Sequence, residues 1–279
     1  MQSLTSAPDA ARRLHRLLEP IHLVTYFSDE PTDALMALGL RNYWDGYFAG
    51  RAAPLGPVPA TVVHAAFYNF ADGEVARHIP RVWDTVTPAL ALAARERGSV
   101  AALRRILGDL ADSPGLARAA DLATRAAASA PTEGRILYAA LRGLPIPEEP
   151  VARLWHAATV LREHRGDGHI AALVAAGIGG TEAHVLHALW EGIPAEKFGR
   201  VHHLPADRLA RVVDGMRARG LIDPSGALSD LGRKTKEQIE SVTDELAAQA
   251  YSRLEPSELD QLVTDLVPVT AAVDAAASR

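Results

Sequence analysis

The chain of 279 residues contains no cysteine, which excludes disulfides, thiolate metal sites and a cysteine nucleophile. Aromatic residues are scarce at 5%, and the 48% apolar share rests mostly on alanine, a composition that favours close-packed helices over sheets. No apolar run approaches the roughly 20 residues that a membrane span needs. No basic-then-apolar leader follows Met1. Positive charge is also short: the formal net charge is −5, whereas a duplex-DNA binder usually carries a basic face. These absences set the expectation of a cytoplasmic, mainly α protein with no membrane partner. They weigh against DNA, although a local basic patch would still serve it. No glycine-rich phosphate loop, Ser-His-Asp order or nucleotide fingerprint is present, so the sequence names no cofactor.

What is present centres on Leu161-Arg-Glu-His-Arg-Gly-Asp-Gly-His169, a polar knot inside long apolar helical sequence. Burying it is costly unless its groups pair or meet a ligand. Gly166 and Gly168 are expected to break the helix there. Three readings stand. His164, Asp167 and His169, with His156 one or two turns earlier, could hold a metal, though their spacing fits no standard signature. Alternatively, Arg165 clamps an anion while a histidine moves a proton. In the third reading, Asp167 and Arg165 simply satisfy a helix break.

The order of features repeats. Glu148-Glu149-Pro150 mirrors Asp29-Glu30-Pro31, Asp167-Gly168 mirrors Asp45-Gly46, His169 stands where Tyr47 does, and His187 pairs with His64. The offset holds at about 119 to 123 residues, the mark of an internal duplication. Ser129 to Gly134 is the linker candidate, so the halves are expected at 1–130 and 131–279. In the second half, Pro205 to Arg219 has helical apolar spacing and Gly220 is placed to end it. Two short strands around Pro224-Ser225-Gly226 and a helix from Asp230 would complete a winged helix, with helices at 181–191 and 195–202 supplying the helix-turn-helix.

Arg217 to Glu240 resembles the recognition-helix end, wing and following helix of MarR-type regulators. His22, Tyr26-Phe27, Tyr47-Phe48-Ala49, Arg51 to Gly56 and Leu161 to His169 resemble an actinobacterial family of tandem helix-turn-helix proteins, labelled SalK-like. Because MarR proteins are homodimers, the resemblance implies tandem winged repeats forming a pseudo-dimer within one chain. The first half departs from it: Arg97-Gly98 runs straight into the helix from Ser99, with no wing.

Two functions follow as expectations. The first is a small-molecule pocket, binding or catalytic, where the halves meet. His164, Asp167 and His169 would do the proton chemistry. His22, Tyr26, Tyr43, Tyr47, Arg51 and Arg165 would hold a ligand with an anionic group. The alternative is a ligand-responsive regulator touching DNA through Arg208, Arg211 and Arg217, diluted by Asp207 and Asp214.

Overall fold

A computed structural model describes residues 7–198 and 204–278. Among them are twelve α-helices, linked by short 3-10 turns: α1 (Ala7–Phe27), α2 (Asp29–Met36), α3 (Tyr43–Ala52), α4 (Ala60–Phe67), α5 (Pro88–Leu107), α6 (Pro114–Ser129), α7 (Ile136–Arg142), α8 (Pro150–Ala175), α9 (Gly180–Trp190), α10 (Ala206–Ala218), α11 (Asp230–Ala248) and α12 (Pro256–Ala277). Two compact units emerge. The first takes in the chain up to Val58, His78–Asp167 and the chain from Asp244; the second takes in Pro59–Arg77 and Gly168–Thr243. A cut between 130 and 131 is a matter of ancestry, which compactness does not address.

The first unit is built around α8, whose residues from Val151 to Leu161 are buried on nearly every side except at Arg153. A helix apolar all round belongs inside a core. Leu14, Leu18 and Ile21 of α1, Leu103 and Leu107 of α5, alanines 119, 123 and 126 of α6, and Leu262, Leu266 and Val269 of α12 join Leu154, Trp155 and Leu161 in one cluster. Alanine at the contact faces lets helix axes approach closely. Gly98 takes this furthest: a Cβ there would lie 2.5 Å from Pro31 Cα, so α5 passes α2 backbone to backbone.

In the second unit Val185, Leu186, Met216, Ile222, Leu228 and Ile239 form a separate core. Gly220, at φ 74°, ends α10 as its position requires. The expected wing is smaller than two strands. One antiparallel bridge, Ile222 with Leu228, and the bonds Asp223 N to Ala227 O (2.9 Å) and Ser229 N to Leu221 O (3.1 Å) close a tight turn, and no strand forms among the described residues. Asp223 Oδ1 accepts from Ser225 N at 2.8 Å and Ala227 N at 3.1 Å, so a side chain fills the role that a longer ladder would have played.

Several expectations need correcting. Gly166 and Gly168 do not break α8. Helix interiors tolerate glycine at about 1 kcal/mol each where packing compensates. Residues 72–78 form only a 3-10 turn, Val75–Arg77. The helix expected at 195–202 is a 3-10 turn at Ala195–Lys197, and its remainder falls on residues 199–203, outside the described ones.

Candidate functional site

The site begins with Asn42, whose Oδ1 caps α3 by accepting from Asp45 N at 3.1 Å. Gly46 and Gly50, one turn apart, then face α2 and α5. A Cβ on either would stand 3.4 Å from Leu35, and one on Gly50 would also stand 3.5 Å from Arg95 Cδ. Tyr47 and Arg51, again one turn apart, lie along a shared edge, where Arg51 Nη1 donates to Tyr47 Oη at 3.0 Å. Asp45, at the first turn, accepts from His78 Nδ1 (2.6 Å) and Arg81 Nη2 (2.8 Å). Burial alone would raise its carboxyl, but those two partners hold it below the ordinary range.

Arg51 reaches across to α8 as a fork: Nε and Nη2 approach the two oxygens of Glu163 at 3.3 and 3.4 Å. Arg162 Nη1 adds a bond to Glu163 Oε1 at 2.9 Å. Burial works against ionising Glu163, yet Arg162 and Arg51 outweigh it and drive its carboxyl far below the usual carboxylate range. Beside this cluster, His22 Nδ1 lies 3.0 Å from Thr159 Oγ1. Burial, with Arg162 and Arg95 nearby, keeps His22 neutral by lowering its pKa well below the histidine value. His22 and Tyr26 share a helix face, with rings 5.2 Å apart and edge-on, and Tyr26 packs against Tyr47 at 5.1 Å with the rings tilted.

Next to these groups is a residue that sequence reasoning passed over. Arg95 is 2% exposed. Its Nη1 donates to Gly50 O at 3.4 Å, and its guanidinium carbon sits 5.4 Å from the Trp155 ring centre. Its Nε and Nη2, like Tyr26 Oη and His22 Nε2, are buried and have no hydrogen-bond partner among the described residues. Tyr26, Leu35, Met36, Tyr43, Tyr47, Arg51 and Arg95 line a cleft with a cavity volume of about 20 Å³. A signal was available: Arg95 is the one charged residue on the buried stripe of α5, which otherwise holds Ala91, Ala94, Gly98, Ser99, Ala102, Leu103 and Leu107.

The rest of the polar knot points elsewhere. His164 packs edge-on to Tyr138 at 4.8 Å, and burial with Arg135 nearby lowers it to about 3. Arg165 Nη2 donates to Asp244 at 3.1 Å, with Arg12 on the same carboxylate. Asp167 accepts from Tyr138 N at 2.9 Å, capping the first turn of α7. Burial, with Glu163 adding repulsion, pushes Asp167 up to about 6. His169 belongs to the second unit, where Nδ1 lies 2.9 Å from Thr243 Oγ1. No group of three or more histidines and carboxylates among the described residues is placed to hold a metal ion.

In the second unit α10 buries only Met216. Arg211 pairs with Asp207 at 2.9 Å and Arg217 with Asp214 at 2.8 Å, while Arg208 borders an open depression with Asp72, Thr181 and Glu182. A short helix, a longer exposed helix, a tight turn and a return helix are the order of a helix-turn-helix protein. A family model described as a helix-turn-helix family matches residues 11–278, and the chain belongs to that family. No curated protein and no solved structure matches it. No single described helix is long and apolar enough to cross a membrane.

Proposed function

We propose that the chain is a small-molecule-binding protein on a helix-turn-helix scaffold, with its ligand seat in the cleft between α2, α3 and α5. The observation that carries this reading is the unsatisfied floor of the cleft. Buried polar atoms ordinarily find partners, and two arginine nitrogens and a tyrosine hydroxyl without any are costly in a purely structural role. Of the residues expected to bind, Tyr26, Tyr43, Tyr47 and Arg51 line this cleft, and His22 lies against Tyr26. The duplication fits this reading: α4 and α9 begin at Ala60 and Gly180, and α6 and α11 at Pro114 and Asp230, intervals of about 120 residues. On this reading the wingless first half binds the ligand. Of the residues expected as proton carriers, Asp167 accepts from Tyr138 N and His169 lies beside Thr243, while His164 packs on Tyr138 with its Nε2 buried and unpartnered among the described residues, outside this cleft.

The test is ligand binding in a blocked cleft. Met36→Trp fills the opening without touching the Arg51–Glu163 fork. It is expected to abolish the melting-temperature rise that small organic acids give the native protein. An unchanged response would place the ligand elsewhere. A second reading, DNA binding by α10, is favoured by its exposure and by Arg208. Gel shifts at low and physiological salt on the native protein and on Arg208→Glu with Arg211→Glu decide it; equal retention by both would remove it.

A further inference from the structure

We infer that the cleft takes a monocarboxylate, seated on the side edge of Arg95. This rests on the small-molecule reading above and narrows it to one ligand class.

The geometry of the guanidinium argues for it. Arg95 uses Nη1 on Gly50 O, and the two nitrogens left over are Nε and Nη2. Those two N–H groups lie side by side and point the same way, forming the edge that receives both oxygens of a carboxylate at once. Charge agrees with shape. Arg51 and Arg162 share Glu163, whereas Arg95 faces only a carbonyl and the Trp155 ring. Among the described residues Arg95 makes no ion pair with a carboxylate, and a singly charged acid would give it one. Tyr26 Oη, also buried without a partner, supplies a further donor.

Size limits the rest of the ligand. About 20 Å³ holds roughly one or two water-sized centres, enough for a head group and no more. The body must lie further out, against Leu35, Met36, Tyr43 and Tyr47, a wall suited to a flat apolar or aromatic group. Because Nε, Nη2 and Tyr26 Oη are shut off from solvent, docking requires a wall to move. Met36, unbranched and adaptable, is the side chain able to do so.

The experiment compares acetate, benzoate, phenylacetate and 3-phenylpropionate with their amides and with phenylphosphonate. It uses calorimetry and melting temperature on the full chain and on Arg95→Met, Arg95→Lys and Met36→Trp. At least one aryl acid is expected to bind roughly tenfold or more tightly than its amide and than phenylphosphonate. Arg95→Met should erase that preference while the ligand-free protein melts at the same or a higher temperature, because an unpaired buried charge has gone. Arg95→Lys keeps the charge but loses the fork, and should fold with a reduced preference. Amides binding as well as acids would overturn the carboxylate inference and leave the small-molecule reading standing. A preference for phenylphosphonate would overturn it in the same way. A destabilised Arg95→Met that keeps the preference for acids would show that Arg95 only packs. No binding by any compound, with Met36→Trp indistinguishable from native, would defeat the broader reading as well.

Discussion

Glu163 and Asp167 sit one turn apart on the same buried helix, and their environments push them in opposite directions. Glu163 is 2% exposed and Asp167 6%, so burial alone would raise both. Glu163 meets two guanidiniums and is held ionised far below the usual range, whereas Asp167 meets one backbone N–H and the repulsion of Glu163, and rises to about 6. The difference separates a carboxylate that ties helices together from one that the fold holds under strain. Asp45, the sequence counterpart of Asp167 in the first half, falls on the Glu163 side because His78 and Arg81 reach it. The partners decide the outcome, and the local motif does not.

The largest effect should come from Glu163→Gln. It leaves Arg51 and Arg162 buried and facing each other without their shared anion, and breaking a buried pair typically costs about 3–5 kcal/mol. Urea unfolding should show a loss of that size. Adding Arg51→Met should recover part of it, because one of the stranded cations is removed. A loss below about 1 kcal/mol for the single change would mean that water reaches the cluster and that the fork is decorative.

Much of this was legible beforehand, and the failures have physical reasons. The helices expected at 181–191, from Pro205 and from Asp230, and the Gly220 stop, follow from local spacing, and the structure bears them out within a residue or so at their starts. The glycines of the polar knot misled, because a glycine inside a continuous helix and a glycine that breaks one look identical in sequence; what separates them is the surroundings, as at Gly98, where a Cβ would meet Pro31 Cα at 2.5 Å. Treating the polar knot as one site ignored that successive helical residues point in different directions, so Glu163 turned to α3 while His164 turned to α7. Arg95 was missed because its three alanine neighbours made α5 read as plain scaffold.

Asp167→Asn should move stability the other way by a smaller amount. Asp167 has a folded pKa of about 6 against an unfolded value near 3.9. Its contribution is therefore fully favourable below about pH 4 and is lost as pH rises through about 6. Asparagine keeps an acceptor for Tyr138 N and carries no charge. At pH 7 the variant should be more stable by about 1–2 kcal/mol, and the gain should vanish by about pH 4. His164 and His156, lowered to about 3 and about 4 by burial, make acid unfavourable to the native state in both proteins, so they cancel in the difference. A variant that is less stable at pH 7 would mean that Asp167 is needed as an anion.

The smallest effect tests whether the turn between the two carboxylates is itself constrained. Gly166 lies inside α8, and a Cβ there would sit 3.4 Å from Glu163 Oε2 and 3.9 Å from Arg162 Nη1, both ordinary contacts. Gly98, whose Cβ would run into the Pro31 backbone, has no such room. Gly166→Ala should therefore recover most of the helix-propensity difference, about 0.5–1 kcal/mol, with the Arg51–Glu163 pair untouched. If the substitution instead destabilises, the carboxylate of Glu163 needs the empty space beside it. The glycine would then belong to the charged cluster itself, as the reason α8 can carry a buried anion at that turn.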